Sequence, residues 1–175
     1  MSDDRLPDRI DPVRLAEARR VLEGELSIAA LPRLVSMLTD DSGSVRVDIT
    51  CGVDEEGIRY LRGSLDAEVN IQCQRCLESF MLPLHTTFAL GVVTHASLAE
   101  RLPDHYEPLV VGEEPVFLRD IVEDELILSL PIVPKHPEGQ CPAGKGGDEH
   151  VEEERRENPF AALKVLKTKK VPDEE

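Results

Sequence analysis

Tryptophan is absent from the 175 residues, and aromatics make up only 3%. Any core must therefore be built from Leu, Val, Ile and Ala. Bases are scarce as well: 20 against 35 acids, a formal charge of −15. A chain that holds nucleic acid through its phosphates needs clustered Lys and Arg, so that class of function is disfavoured. Adhesion to an anionic membrane surface is disfavoured for the same reason. No run approaches the roughly 20 apolar residues of a membrane span. Met1-Ser2-Asp3-Asp4-Arg5 leads into no apolar signal core. The expectation is a cytoplasmic protein with no membrane partner and four reduced cysteines. H-E-x-x-H, the P-loop, G-x-G-x-x-G and a Ser-His-Asp order are all missing, so no enzyme is expected.

The charge is unevenly placed. Residues 25–142 hold 20 acids against 8 bases, a net of −12, whereas the flanks 1–24 and 143–175 are at −1 and −2. An acidic tail is a solubilising device; an acidic body suits a basic partner or none.

The spacing predicts a helix over 11–23, with Asp11 as its cap, Pro12 in the first position and Gly24 past its end. Residues 25–30 read as extended, and Leu31-Pro32-Arg33-Leu34 as a brief helical turn. Val45, Val47, Ile49 and Cys51 alternate with polar residues; so do Leu65, Ala67, Val69 and Ile71, and Leu82 through Leu90. With no helix between these segments, antiparallel pairing is expected. Residues 94–108 form a polar excursion, and 108–111 with 115–117 offer an edge strand. A helix follows over 118–130, acidic in its early turns and stopped by Pro131. The fold class is thus α+β: an antiparallel sheet of about five or six strands, packed by two helices. We divide the chain into an acidic core domain (1–142), a disordered acidic linker (143–157), and a short amphipathic helix with a basic tail (158–175).

The sharpest chemical signal is Cys73-Gln74-Arg75-Cys76, between two predicted strands. Two thiolates at that spacing grip one Zn²⁺ from a tight knuckle, and His136 with Cys141 supplies the second pair of a four-ligand site. Two other readings stay open. One is a pair of small residues at a turn beside incidental residues. The other is thiol redox work, which wants a helix N-terminus directly after the motif. Cys51 lacks a nearby partner and reads as core. Glu125 falls inside the apolar stripe of Leu118, Ile121, Val122, Leu126 and Leu128. A carboxylate there snorkels from a half-exposed helix end, pairs with a base, Arg75 being the first choice, or caps backbone N–H groups. His85, His95 and His105 are scattered, without partners that make a catalytic set.

Taken together, Cys73-Gln74-Arg75-Cys76-Leu77-Glu78, Leu118-Arg119-Asp120 running into Glu123-Asp124-Glu125-Leu126, Pro134-Lys135-His136 with Cys141, and Asn158-Pro159-Phe160-Ala161 with Leu163 resemble the YceD (DUF177) family. So do Ile10-Asp11-Pro12 and Leu31-Pro32-Arg33-Leu34, and the resemblance runs from about residue 6 to 167. It implies a bacterial protein needed for synthesis, processing or stability of 23S ribosomal RNA, in a family whose genes often neighbour that of a large-subunit ribosomal protein. It carries no catalytic residues to transfer; zinc is a reading of the ligands and not of the family. Arg75, Asp120, Glu125, Asn158, Pro159, Phe160 and Leu163 become binding or structural candidates. The expected partner is a large-subunit ribosomal protein or an rRNA-processing factor, with rRNA contacted mainly indirectly. The rivals are an RNA-processing enzyme and a zinc-stabilised RNA-binding module, the latter relying on the lysines at 164–170.

Overall fold

Alternating apolar and polar side chains make the middle of the chain a sheet, and the two remaining apolar stripes make it a layered one. The computed structural model describes residues 6–112 and 114–144. In chain order the elements are β1 (Arg9–Ile10), α1 (Pro12–Glu17), β2 (Val21–Ser27), α2 (Pro32–Val35), β3 (Ser44–Val53), β4 (Arg59–Gln72), β5 (Ser79–Val93), β6 (Glu107–Val110), β7 (Val116–Phe117) and α3 (Leu118–Ser129). Strands β2-β3-β4-β5-β6 form one sheet in that order, and β1 pairs with β7 in a separate two-stranded ribbon. No described helix is long and apolar enough to cross a membrane.

The register stacks the apolar positions into one face. Val45, Val47, Ile49 and Cys51 lie opposite Ala67, Leu65, Gly63 and Leu61. Those in turn lie opposite Leu84, Thr86, Phe88 and Leu90. Gly63 makes the room for Phe88: a Cβ there would sit 2.7 Å from the Phe88 ring tip and from the Asp48 carbonyl. Against this face pack α1, α2 and α3; α3 contributes buried Leu118, Ile121, Val122 and Leu126.

Two expectations need correction. The sheet is mixed, because β6 runs parallel to β5. The polar excursion after β5 is long enough to carry the chain back across the sheet, which a tight hairpin cannot do. Tyr106 pins that crossover. Buried itself, it donates its hydroxyl to Asp54 at 3.0 Å and accepts from Arg62 at 2.6 Å. The first helix is also shorter than expected. Asp11 caps it, accepting from the Arg14 amide at 3.1 Å, but it ends at Glu17 and Arg19 turns to φ +49°. Residues 21–27 instead form β2 on the edge of β3. That edge offers a full ladder of unpaired amides and carbonyls, and Leu22, Gly24 and Leu26 alternate toward the core. The ladder outweighs local helix propensity.

The one-turn α2 forms where expected, and a distant acid completes it. Glu123, 2% exposed, accepts the free amides of Arg33 and Leu34 at 2.6 and 3.0 Å. Its other oxygen takes Arg33 Nε at 2.7 Å. Arg33 Nη1 reaches Asp124 at 2.6 Å. The carboxylate thus serves as the helix cap that α2 lacks in its own sequence.

The predicted linker from 145 onward and the predicted helix with Asn158, Pro159, Phe160 and Leu163 lie outside the described residues.

Candidate metal centre

Strands β4 and β5 outrun the rest of the sheet: the ladder to β3 ends at Ala67, while the ladder to β5 continues to Gln72. The turn joining them, 73–78, is held by backbone bonds. Cys73 N donates to Glu78 O, and Leu77 N to Cys73 O, both at 2.9 Å. Leu77 takes φ +64°, a left-handed step that closes the knuckle. The second half of the site comes from the chain after α3. Pro131 prevents the helix from continuing, and the Pro134 carbonyl then accepts from Gln74 N at 2.9 Å. That bond draws His136 and Cys141 onto the knuckle.

The structure brings together the four residues that the spacing singled out. The ligand atoms of Cys73, Cys76, His136 and Cys141 all lie within 4.8 Å of one another. Cys73 and Cys141 are buried; Cys76 and His136 are half-buried. His136 Nδ1 is 3.4 Å from Cys76 Sγ, and its ring rests on Phe80 with centroids 4.7 Å apart. In a tetrahedral thiolate site, bonds of about 2.3 Å place the sulfurs about 3.8 Å apart. The observed cluster needs only a small contraction to reach that geometry.

The electrostatics favour the same use. Burial pushes the Cys73 thiol up, but amide donors from His136, Cys76 and Arg75, together with the His136 ring, outweigh it and bring its pKa down to about 5. The Arg75 amide lies 3.4 Å from that sulfur. Cys76 moves the other way, raised by burial and by the neighbouring sulfurs of Cys73 and Cys141. One thiolate is therefore prepared, and Cys76 beside it resists ionising without a cation in the cluster. Three sulfurs and one imidazole are a soft donor set able to hold one metal ion. The redox reading loses its structural basis, because Cys76 leads into β5 and not into a helix.

The remaining candidates are distributed differently. Glu125 does not meet Arg75, and its carboxyl oxygens are not left both buried and without a partner. It is 8% exposed, and no described base pairs with it. Burial, then the charges of Glu107 and Asp124, push its pKa up to about 7. The correction is geometric: Arg75 sits on the knuckle, where its exposed side chain makes no ion pair with a described residue. Asp120 lies at the start of α3, where its carbonyl accepts from Arg33 Nη2 at 3.4 Å. Cys51 is core, and burial raises its thiol to about 11. His85 is exposed on the outer sheet face, 2.6 Å from Asp66. The residues that sequence reasoning missed are Arg33 and Glu123, joined across 90 positions, and the Asp54–Tyr106–Arg62 chain. Neither carries a local signal.

No described residue covers the sheet face opposite the core. Glu23, Glu25, Asp66 and Glu68 are exposed on it, and Asp48 is half-buried. Arg46 is taken by Asp48 at 3.3 Å, and Arg62 lies over the rings of Tyr60 and Tyr106. A shallow groove of about 790 Å³ crosses this face between Arg46, Asp66, Glu68, Met81 and His85.

Comparison with known proteins finds a family and its relatives. A family model described as "Large ribosomal RNA subunit accumulation protein YceD" matches residues 61–167, a stretch that contains all four residues of the Cys3His cluster. The Large ribosomal RNA subunit accumulation protein YceD of Haemophilus influenzae is 32% identical over 176 residues, covering 97% of this chain and 100% of that protein. No solved structure matches.

Proposed function

This chain belongs to the YceD family, and on that premise we propose that it supports accumulation of the large ribosomal RNA, the 23S species, as a non-catalytic factor that binds a basic protein. The observation that carries the choice of partner is the acid-rich sheet face, which no described residue covers. Glu23 and Glu68 find no cation among the described residues, and the arginines on that face are engaged at home. Phosphates would be repelled there, whereas Lys and Arg side chains would be drawn in. An unassembled large-subunit ribosomal protein fits best, since proteins that pack into rRNA must themselves be rich in bases. Contact with rRNA is then mainly indirect. A non-catalytic role is supported by the way the carboxylates of α3 are used: Glu123 and Asp124 hold Arg33 rather than converging on an open metal position.

The test is affinity capture from a lysate, with and without RNase, of the native chain and of a Glu23→Lys, Asp48→Lys, Glu68→Lys variant. The reading predicts RNase-resistant enrichment of defined basic large-subunit proteins, lost in the variant. Capture that disappears with RNase overturns it in favour of direct RNA binding. Capture of a processing enzyme through the same face would change the partner and keep the surface.

The same reading gives the chain one Zn²⁺, held by Cys73, Cys76, His136 and Cys141. Three thiolates exclude the hard cations Mg²⁺ and Ca²⁺, and a Cys3His set is a common structural zinc sphere. Bound there, the ion supplies charge and geometry to a fixed site. Metal analysis of protein purified under reducing conditions tests this: one zinc per chain is expected, and its absence removes the cofactor.

A further inference from the structure

The chain leaving α3 is thinly attached to the body. Leu128, Ile132 and Val133 are 74%, 96% and 48% exposed, so its first residues bury little. The main core cluster includes none of residues 131–141, nor Cys73. The ties seen are the Gln74–Pro134 hydrogen bond, the His136 ring on Phe80, and the ligand cluster itself. Two ligands come from the knuckle and two from this segment, so neither half can complete a tetrahedral site alone. The packing of α3 against β5 keeps the start of this segment near the knuckle, so the ion has only a short loop to close. With four protein ligands there is no open position for substrate or water, which makes the site a fastener rather than a reactive centre.

Resting on the reading of the centre as a zinc site, we infer that the ion is the fastener holding residues 131–141 against the tip of the β4–β5 hairpin. Its loss frees that segment and the 73–78 turn while the sheet stays folded. The consequence is reversible control over where the chain beyond α3 is anchored, set by zinc supply and by the state of three thiols. The sheet survives because its packing lies elsewhere: Val45, Val47, Leu61, Leu65, Leu118 and Leu126 are buried in the core cluster, away from the knuckle.

Trypsin reads the two states directly, because exposed Lys135 lies inside the fastened segment and exposed Arg75 inside the turn. The full chain is compared as purified, after removal of metal with a zinc chelator, and after adding back Zn²⁺ alone. The expected result is cleavage after Lys135 and Arg75 at least about ten-fold faster without zinc, since proteolysis follows the open population. Protection should return on adding Zn²⁺, and the far-ultraviolet circular dichroism of the sheet should be unchanged throughout. Cys141→Ser should cleave like the metal-free protein; should that variant unfold, the chelator series on the native chain still decides. Stoichiometric zinc with equal cleavage rates in both states overturns the fastener and leaves the zinc reading intact. A fully reduced chain that binds no zinc overturns both. Loss of the sheet signal on chelation also overturns the inference, because the ion would then support the whole fold.

Discussion

Replacing Glu125 with Gln should stabilise the protein, and increasingly so as the pH rises. The Glu125 side chain is largely buried on α3, with Glu107 and Asp124 as its charged neighbours, and its pKa is pushed up to about 7 from the usual 4.5. An acid whose folded pKa is raised binds its proton more tightly in the native state. Stability is therefore undiminished below about pH 4.5, falls through the interval between the two values, and levels off above 7. At 1.36 kcal/mol per unit, the full cost at pH 8 is about 3 kcal/mol. At pH 5 less than about 1 kcal/mol of it has appeared. Glutamine keeps the shape and removes the charge. Urea unfolding, followed by circular dichroism at pH 5 and pH 8, should show the advantage of the variant widening by about 2–3 kcal/mol across that range. Thermal melts at pH 8 should rise by several degrees. A difference that is the same at both pH values, or a variant less stable at pH 8, would refute the reasoning, since either means that the charge of Glu125 is compensated.

Other substitutions test other parts of the fold. Glu123→Ala leaves the amides of Arg33 and Leu34 without their acceptor and should cost about 2–4 kcal/mol in denaturant unfolding. The Glu123 carboxyl is held below its usual range, burial being outweighed by the Leu34 and Arg33 donors. The contribution of this group is therefore present above about pH 4.5 and lost as acid protonates it, so the native chain should lose stability below that pH more steeply than Glu123→Ala. Gly63→Val forces a side chain into the Phe88 ring and the Asp48 carbonyl, and a loss of about 1–3 kcal/mol is expected, with a shifted Phe88 resonance as the check. Tyr106→Phe removes both bonds to its hydroxyl and should cost about 1–2 kcal/mol while speeding amide exchange in β6. Asp66→Asn breaks only an exposed contact with His85 and should move the melting temperature hardly at all.

What could be read in advance follows the range over which each signal acts. The strands β3, β4 and β5 are legible because alternation is written into neighbouring residues, from Val45 to Cys51 and from Leu65 to Ile71. The ligands are legible for a similar reason: Cys73 and Cys76 form one short motif, His136 and Cys141 another, and zinc chemistry asks for two such halves. The features that escaped are those decided at a distance. Residues 18–23 hold enough helical pattern to extend α1, and only the free edge of β3 draws 21–23 into β2. The direction of β6 depends on a crossover whose path is fixed by Tyr106 meeting Asp54 and Arg62. Glu125 and Glu123 stand two residues apart on α3, yet one has no described base beside it and the other caps α2. That difference comes from where Arg33 lies in space, and neighbouring residues do not encode it.

The most direct test of the central claim is the binding of the purified, zinc-loaded chain to 23S ribosomal RNA across a salt series. A factor that works through a basic protein partner should show no saturable binding at about 150 mM salt, nor gain affinity as salt is lowered toward about 50 mM, because its acidic body is repelled by phosphate at any screening length. Saturable binding that weakens with a steep negative slope of log affinity against log salt would show counterion release from phosphate contacts. That result would contradict the account and identify the chain as an RNA-binding protein.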